Sequence, residues 1–129
     1  MFPKDIQKSI RDIMEKTRKH DNFIVNFAMA YGGRQEIVDS VKKIALLVKS
    51  NKINPNDISE STITQNLYLQ DEPDLVIRPG GEVRTSNFLT WQSAYSEWFF
   101  VPKLWPEFTK RDLSRCIGEF NKRERRFGR

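Results

Sequence analysis

Two arginines and a serine carry the clearest chemistry in this chain. Arg78 closes a short apolar run, Arg84 follows six residues later, and Ser86 comes two residues after that. Between the arginines lies Pro79-Gly80-Gly81, a turn whose backbone can approach a ligand closely. Guanidinium groups offer forked, charge-assisted hydrogen bonds to anions. If Ser86 opens a helix, the free N–H groups of the first turn add donors and positive potential. A diphosphate, whose many oxygens need several donors at once, suits this set. The same residues also have a purely structural reading. The arginines would then pair with Glu82 or Asp74, and Ser86 would only cap its helix.

The elements that must position these side chains follow from periodicity. Ile6, Ile10, Ile13 and Met14 share one helical face, so 4–20 reads as an amphipathic helix. His20 falls at its end and reads as a cap rather than a catalytic group. The apolar run 23–30 suits a strand, and Tyr31-Gly32-Gly33-Arg34 suits a strand-to-helix turn. That turn could cradle phosphate, but it reads mainly as structure. Ile37, Val41, Ile44, Ala45 and Val48 mark a second helix to about Ser50, and 59–67 a short third one. Asp74–Arg78 reads as a buried strand stopped by the Pro-Gly-Gly turn, 87–94 as a short helix capped by Ser86, and 97–101 as a further strand. Thr109 and Asp112 form a capping pair for a last helix with Leu113, Cys116, Ile117 and Phe120 on its inner face. Helices alternating with short apolar strands predict an α/β fold, with 23–30 and 74–78 as neighbouring strands of a parallel sheet flanked by helices.

Composition narrows the partners. The 129 residues suit one domain, and 38% hydrophobic with 12% aromatic residues suits a folded one. The net charge is +5, and 110–129 alone holds eight basic and three acidic residues. A basic end suits phosphate groups, nucleic acid or a lipid surface, or is simply a solvated helix end. Cys116 is the single cysteine, which excludes an intramolecular disulfide and a cysteine-based metal cluster. No apolar run approaches a membrane span, and the first residues are too charged for a secretory signal, so a cytoplasmic location is expected. Trp91, Trp98 and Trp105 read as core and interface residues rather than stacking platforms for bases.

The stretch Asp74–Glu97, DLVIRPGGEVRTSNFLTWQSAYSE, resembles the pyrophosphate-binding signature of cis-prenyltransferases. The likeness continues in Leu104–Phe108 (LWPEF) and Arg123–Gly128 (RERRFG), and upstream in Asn26–Arg34 (NFAMAYGGR). Its main departure is Pro79, where threonine is usual; a hydroxyl and a backbone N–H are lost there. The resemblance implies that Arg78, Arg84 and Ser86 hold the diphosphate of isopentenyl diphosphate. It implies that Glu97 helps to hold Mg²⁺, and that Arg126 and Gly128, in the C-terminal R-x-G, reach the diphosphate across a homodimer interface. The expected reaction is head-to-tail condensation with an allylic diphosphate, and a lipid product could bring the protein to a membrane surface. A nucleic-acid partner is not expected, because an acid beside a phosphate site serves diphosphate chemistry.

The family's M-D-G-N-x-R-W-A stretch, with its metal-binding Asp and allylic diphosphate loop, does not occur in these residues, nor does E-N-W-x-R-P. Met1 matches a point roughly midway through the usual family chain. Residues 1–129 are therefore expected to form a single partial domain, the C-terminal half of the fold, inactive alone. Such a half would serve either as part of a split enzyme or as a noncatalytic diphosphate-binding or dimerisation partner of a full-length one.

Overall fold

The computed structural model of the chain describes residues 2–124. Its centre is a parallel pair of strands, β1 (Leu75–Pro79) and β2 (Glu97–Val101), in register from Leu75 opposite Glu97 to Pro79 opposite Val101. Side chains alternate between the faces of such a ladder. Leu75, Ile77, Phe99 and Val101 therefore share one face, and helix α4 (Lys110–Phe120) covers it with Cys116 and Phe120. Phe108 closes this core.

The capping pair at the start of α4 forms as expected, and it does more than cap. Asp112 is buried, accepts from the Thr109 backbone N–H and hydroxyl, and receives Lys103 Nζ on both oxygens at 2.9 Å. It thereby ties the loop after β2 to the helix that packs under β2. The Thr109 hydrogen bond, then Lys103, holds its carboxyl well below the usual range. The inner face of α4 differs from the periodicity reading: Leu113 and Ile117 are exposed, and Asp112, Cys116 and Phe120 face inward. One residue is about 100° around a helix. The buried cap at Asp112 therefore decides which apolar stripe turns to the sheet.

Three further helices precede the strands: α1 (Lys4–Thr17), α2 (Gly33–Lys49) and α3 (Glu60–Asn66). A reciprocal Ser59–Thr62 capping box starts α3. It packs on α2, where buried Ser40 donates to the Ile63 carbonyl at 3.2 Å and Lys43 to the Asn66 carbonyl at 3.0 Å. The apolar stripe of α1 buries no residue, and Ile13 and Met14 stay exposed. No described helix is long and apolar enough to cross a membrane.

Two expected elements are replaced. The run 23–30 is not a strand; it is irregular chain that ends on a left-handed Ala30 (φ 52°), with Phe23 and Phe27 at least 80% exposed. A strand exists through its ladder, and among the described residues only β1 and β2 pair. The segment 87–94 is not a helix, and Ser86 caps none. The crossover between the parallel strands, where a helix is usual, is made of turns, with left-handed φ at Ser86 (48°), Asn87 (63°) and Leu89 (44°). An α-helix cannot accommodate those angles. Bonds from this segment to α2 and α3 replace those a helix would have made within itself.

Candidate diphosphate site

β1 delivers Arg78 to the carboxyl end of the strand pair, where ligands of parallel sheets bind. Pro79 cannot donate to the ladder. The next two N–H groups take over: Gly80 donates to the Val101 and Lys103 carbonyls at 3.0 and 2.7 Å, and Gly81 to Val101 at 3.0 Å. Gly80 and Gly81 have φ of 113° and 75°, which side chains resist. The loop thus leaves β1 fastened to the end of β2.

Beyond that anchor the chain folds back over Arg78. One guanidinium nitrogen, Nη1, donates to the Arg84 carbonyl and to Ser86 Oγ, the latter at 3.0 Å. Arg84 lies against Glu82 at 3.4 Å, with both side chains more than half exposed. Such an ion pair is weak, so Arg84 can exchange Glu82 for a more strongly charged acceptor. The structure therefore brings Arg78, Arg84 and Ser86 together, with Arg78 bracing the loop and Arg84 at its surface.

The left-handed residues cost about 1 kcal/mol or more each, and α2 supplies what holds them. The Asn87 carbonyl accepts from Gly33 N–H and its side-chain Oδ1 from Arg34 N–H, both at 2.8 Å. Asn87 is thus a remote N-cap of α2, a role no local spacing announces. The approach leaves no room at Gly33. A Cβ there would lie 2.4 Å from Thr90 Oγ1, 2.9 Å from Thr90 N and 3.0 Å from the Asn87 carbonyl. Gly33→Ala should therefore push the loop off the helix, with a loss of about 1–3 kcal/mol typical of overpacking. A melting temperature equal to that of the unsubstituted chain would contradict this close contact.

A buried carboxylate stands one turn into α2. Glu36 is fully inaccessible. It accepts from the Tyr31 hydroxyl, from Tyr68 N–H at 2.7 Å, from Leu69 N–H at 3.3 Å and from Gln92 Nε2 at 3.1 Å. Burial alone would raise its pKa, but these donors outweigh burial and hold the carboxyl below its ordinary value. Tyr31 shifts the other way, raised by its burial and by the carboxylate it faces. Gln92 also donates to the Leu69 carbonyl at 2.9 Å, so Glu36 joins α2, the 68–69 segment and the crossover. Sequence reading missed Glu36 and Gln92, since an acid in a first helical turn looks like an ordinary dipole partner.

Glu97 stands apart from this group. It opens β2 opposite Leu75, three positions before Arg78 in the ladder, or roughly 10 Å along it. The same alternation puts the two side chains on opposite faces of the sheet. Glu97 Oε2 accepts from Arg123, whose guanidinium lies 4.1 Å over the Phe99 ring. Glu97 has the hard oxygens that Mg²⁺ prefers. Its neighbours do not complete a site: the described residues contain no group of three or more carboxylate, histidine or cysteine side chains able to hold a metal. Arg126 and Gly128 lie outside the described residues.

Known proteins match this chain over almost its whole length. The prenyltransferase family model described as "Putative undecaprenyl diphosphate synthase" matches residues 1–128. The tritrans,polycis-undecaprenyl-diphosphate synthase (geranylgeranyl-diphosphate specific) of Pyrococcus horikoshii is 52% identical over 131 residues, covering 100% of this chain and 50% of that protein. An isoprenyl transferase of Streptococcus pyogenes is 47% identical over 134 residues, covering 99% of this chain and 54% of its own length. Among solved structures, lavandulyl diphosphate synthase from Lavandula x intermedia, in complex with dimethylallyl diphosphate, superposes with a TM-score of 0.94 at 36% identity, covering 99% of this chain and 56% of that one. A probable undecaprenyl diphosphate synthase from Campylobacter jejuni gives 0.85 at 39% identity, covering 99% and 58%. The chain spans about half the length of the curated relatives it matches. With its parallel strands, its flanking helices and its arginine-braced loop, the chain belongs to the undecaprenyl diphosphate synthase family of cis-prenyltransferases, aligning with half of it.

Proposed function

We propose that this chain is the part of a cis-prenyltransferase that receives the diphosphate of isopentenyl diphosphate for head-to-tail condensation with an allylic diphosphate. The observation that carries the reading is the loop 80–87, folded over Arg78 with Arg84 at its surface. Arg78 holds the loop in shape, Ser86 presents its hydroxyl beside that guanidinium, and Arg84 leaves Glu82 to grip the ligand. Binding through fixed donors positions the reacting double bond, which is where much of the rate of a two-substrate reaction comes from. When bound, Mg²⁺ would neutralise charge on the departing diphosphate. Glu97 would be this chain's carboxylate toward such a site, offering the hard oxygens that Mg²⁺ prefers once it leaves Arg123. Arg126 and Gly128 are assigned to the same diphosphate from across a homodimer interface. The exposed apolar side chains of α1 and of 23–29, with Trp105, Leu113 and Ile117, support an assembly with a second copy or with the other half of the fold. The reaction is assigned to the cytoplasm, with the lipid product bringing the protein to a membrane surface.

Titration calorimetry with inorganic diphosphate tests the reading. The folded chain should bind, Arg84→Ala should weaken binding about tenfold or more, and added salt should weaken it further. Equal affinities in the two proteins would exclude the loop as the diphosphate site. A second reading, a noncatalytic subunit lending its basic end to a full-length enzyme, is favoured by the separation of Glu97 from the arginines.

A further inference from the structure

The Tyr31-Gly32-Gly33-Arg34 turn is drawn to the diphosphate loop by contacts that nothing in the local sequence predicts. Gly33 N–H and Arg34 N–H both end on Asn87, at 2.8 Å each, and Asn87 directly follows Ser86. Ser86 in turn lies 3.0 Å from the Arg78 guanidinium. The backbone of Arg34 is therefore fixed within one side chain's length of the proposed ligand position. Its first helical N–H groups are already taken by Asn87, so the helix terminus is not itself the site. What it brings is the side chain. Arg78 is occupied with its own loop and Arg84 with Glu82. Arg34 is exposed, and among the described residues its guanidinium has no hydrogen bond, ion pair or ring contact.

We propose that Arg34 is a further diphosphate-binding arginine, swinging from the start of α2 onto the ligand held at Arg84 and Ser86. The inference rests on the reading of that loop as the diphosphate site. Several features favour it over a solvated surface charge. A cation with no partner among the described residues stands on the segment clamped to the loop that carries Ser86 and Arg84, and an anion bound there would give it one. The clamp that holds it there runs through left-handed Asn87 and a Gly33 that tolerates no side chain. Backbone strain and close packing keep the separate segment in contact with the loop. Diphosphate, with oxygens on two phosphorus atoms, presents acceptors on more than one side, which a guanidinium from a second element reaches and the loop alone does not.

The test is titration of the full 129-residue chain with inorganic diphosphate, with a melting curve for each protein. Arg34→Gln should weaken binding about tenfold with an unchanged melting temperature. Arg34→Lys should fall between the two, keeping the charge and losing the fork. Arg84→Ala provides the reference for the loop itself. If Arg34→Gln binds like the unsubstituted chain while Arg84→Ala loses affinity, the role of Arg34 is overturned and the loop reading stands. If Arg84→Ala also binds normally, or the folded chain does not bind, both fall. A lower melting temperature with unchanged affinity would make Arg34 a structural residue and overturn the proposal.

Discussion

Purified as these 129 residues and incubated with an allylic primer, labelled isopentenyl diphosphate and Mg²⁺, the chain should form no detectable prenyl product. Ionising an allylic diphosphate requires charge neutralisation on the leaving group while the attacking double bond is held in line with it. The chain supplies one arginine-braced loop, suited to one diphosphate, and a Glu97 whose carboxylate is taken by Arg123. A second diphosphate loop is not found in its sequence. Uncatalysed reference rates lie many orders of magnitude below enzymatic ones, so the expected difference from a complete enzyme is close to all or none. Supplying the amino-terminal half of a relative as a separate polypeptide should restore turnover if the two halves assemble. Restoration would favour the split enzyme over the noncatalytic subunit. Product that accumulates with the chain alone, and is lost in Arg84→Ala, would refute the expectation.

Replacing Glu36 should produce the largest loss of stability among single substitutions. Glu36→Ala removes the acceptor of four donors at a fully buried position. Each buried donor left unsatisfied costs about 1–3 kcal/mol. A total of about 3 kcal/mol or more is a large share of the 5–15 kcal/mol typical of a domain. Glu36→Gln keeps the shape and one acceptor oxygen, so it should lose less. The sign of the pH dependence follows from the depressed pKa of Glu36 in the folded state. Its contribution is present above the unfolded carboxylate pKa and is lost as pH falls through the lower, folded value. Denaturant midpoints measured from neutral to acid pH should therefore converge for Glu36→Gln and the unsubstituted chain. A constant gap across that range would exclude the carboxylate charge as the source of the stability.

The elements that were legible in the sequence are those whose bonds are local. The Thr109 cap bonds within three residues, α3 falls inside the helical run read at 59–67, and β1 and β2 are short apolar runs that pair with each other. Arg78, Arg84 and Ser86 were legible as a group because eight residues and a Gly-Gly turn keep them close. What was not legible depends on distant contacts. Segment 87–94 has helical spacing, yet Asn87 caps α2, Trp91 donates to Thr64 and Gln92 donates to Glu36, across separations of 27 to 56 residues. Those bonds outweigh helix propensity, which is a weak preference. The run 23–30 has strand composition, but a strand requires a neighbour in the ladder, and composition does not supply one. For Arg78 and Glu97, a shared motif suggested a shared site; the parallel register, seen only in three dimensions, puts them on opposite faces.

The single cysteine lies where α4 meets the sheet, 2% exposed and packed with Phe99 and Val101. Thiol reagents attack the thiolate, and burial raises the pKa of this thiol, so in the closed fold Cys116 is doubly withheld from them. A reagent in excess can mark it only in the moments when α4 lifts from β2. The marking rate is then a clock on that one motion, readable in a mixture and without a label on the ligand. Because the loop after β1 is fastened to the carbonyls of Val101 and Lys103, and Lys103 is held by α4 through Asp112, the same clock also times how long the arginine-braced loop keeps its footing.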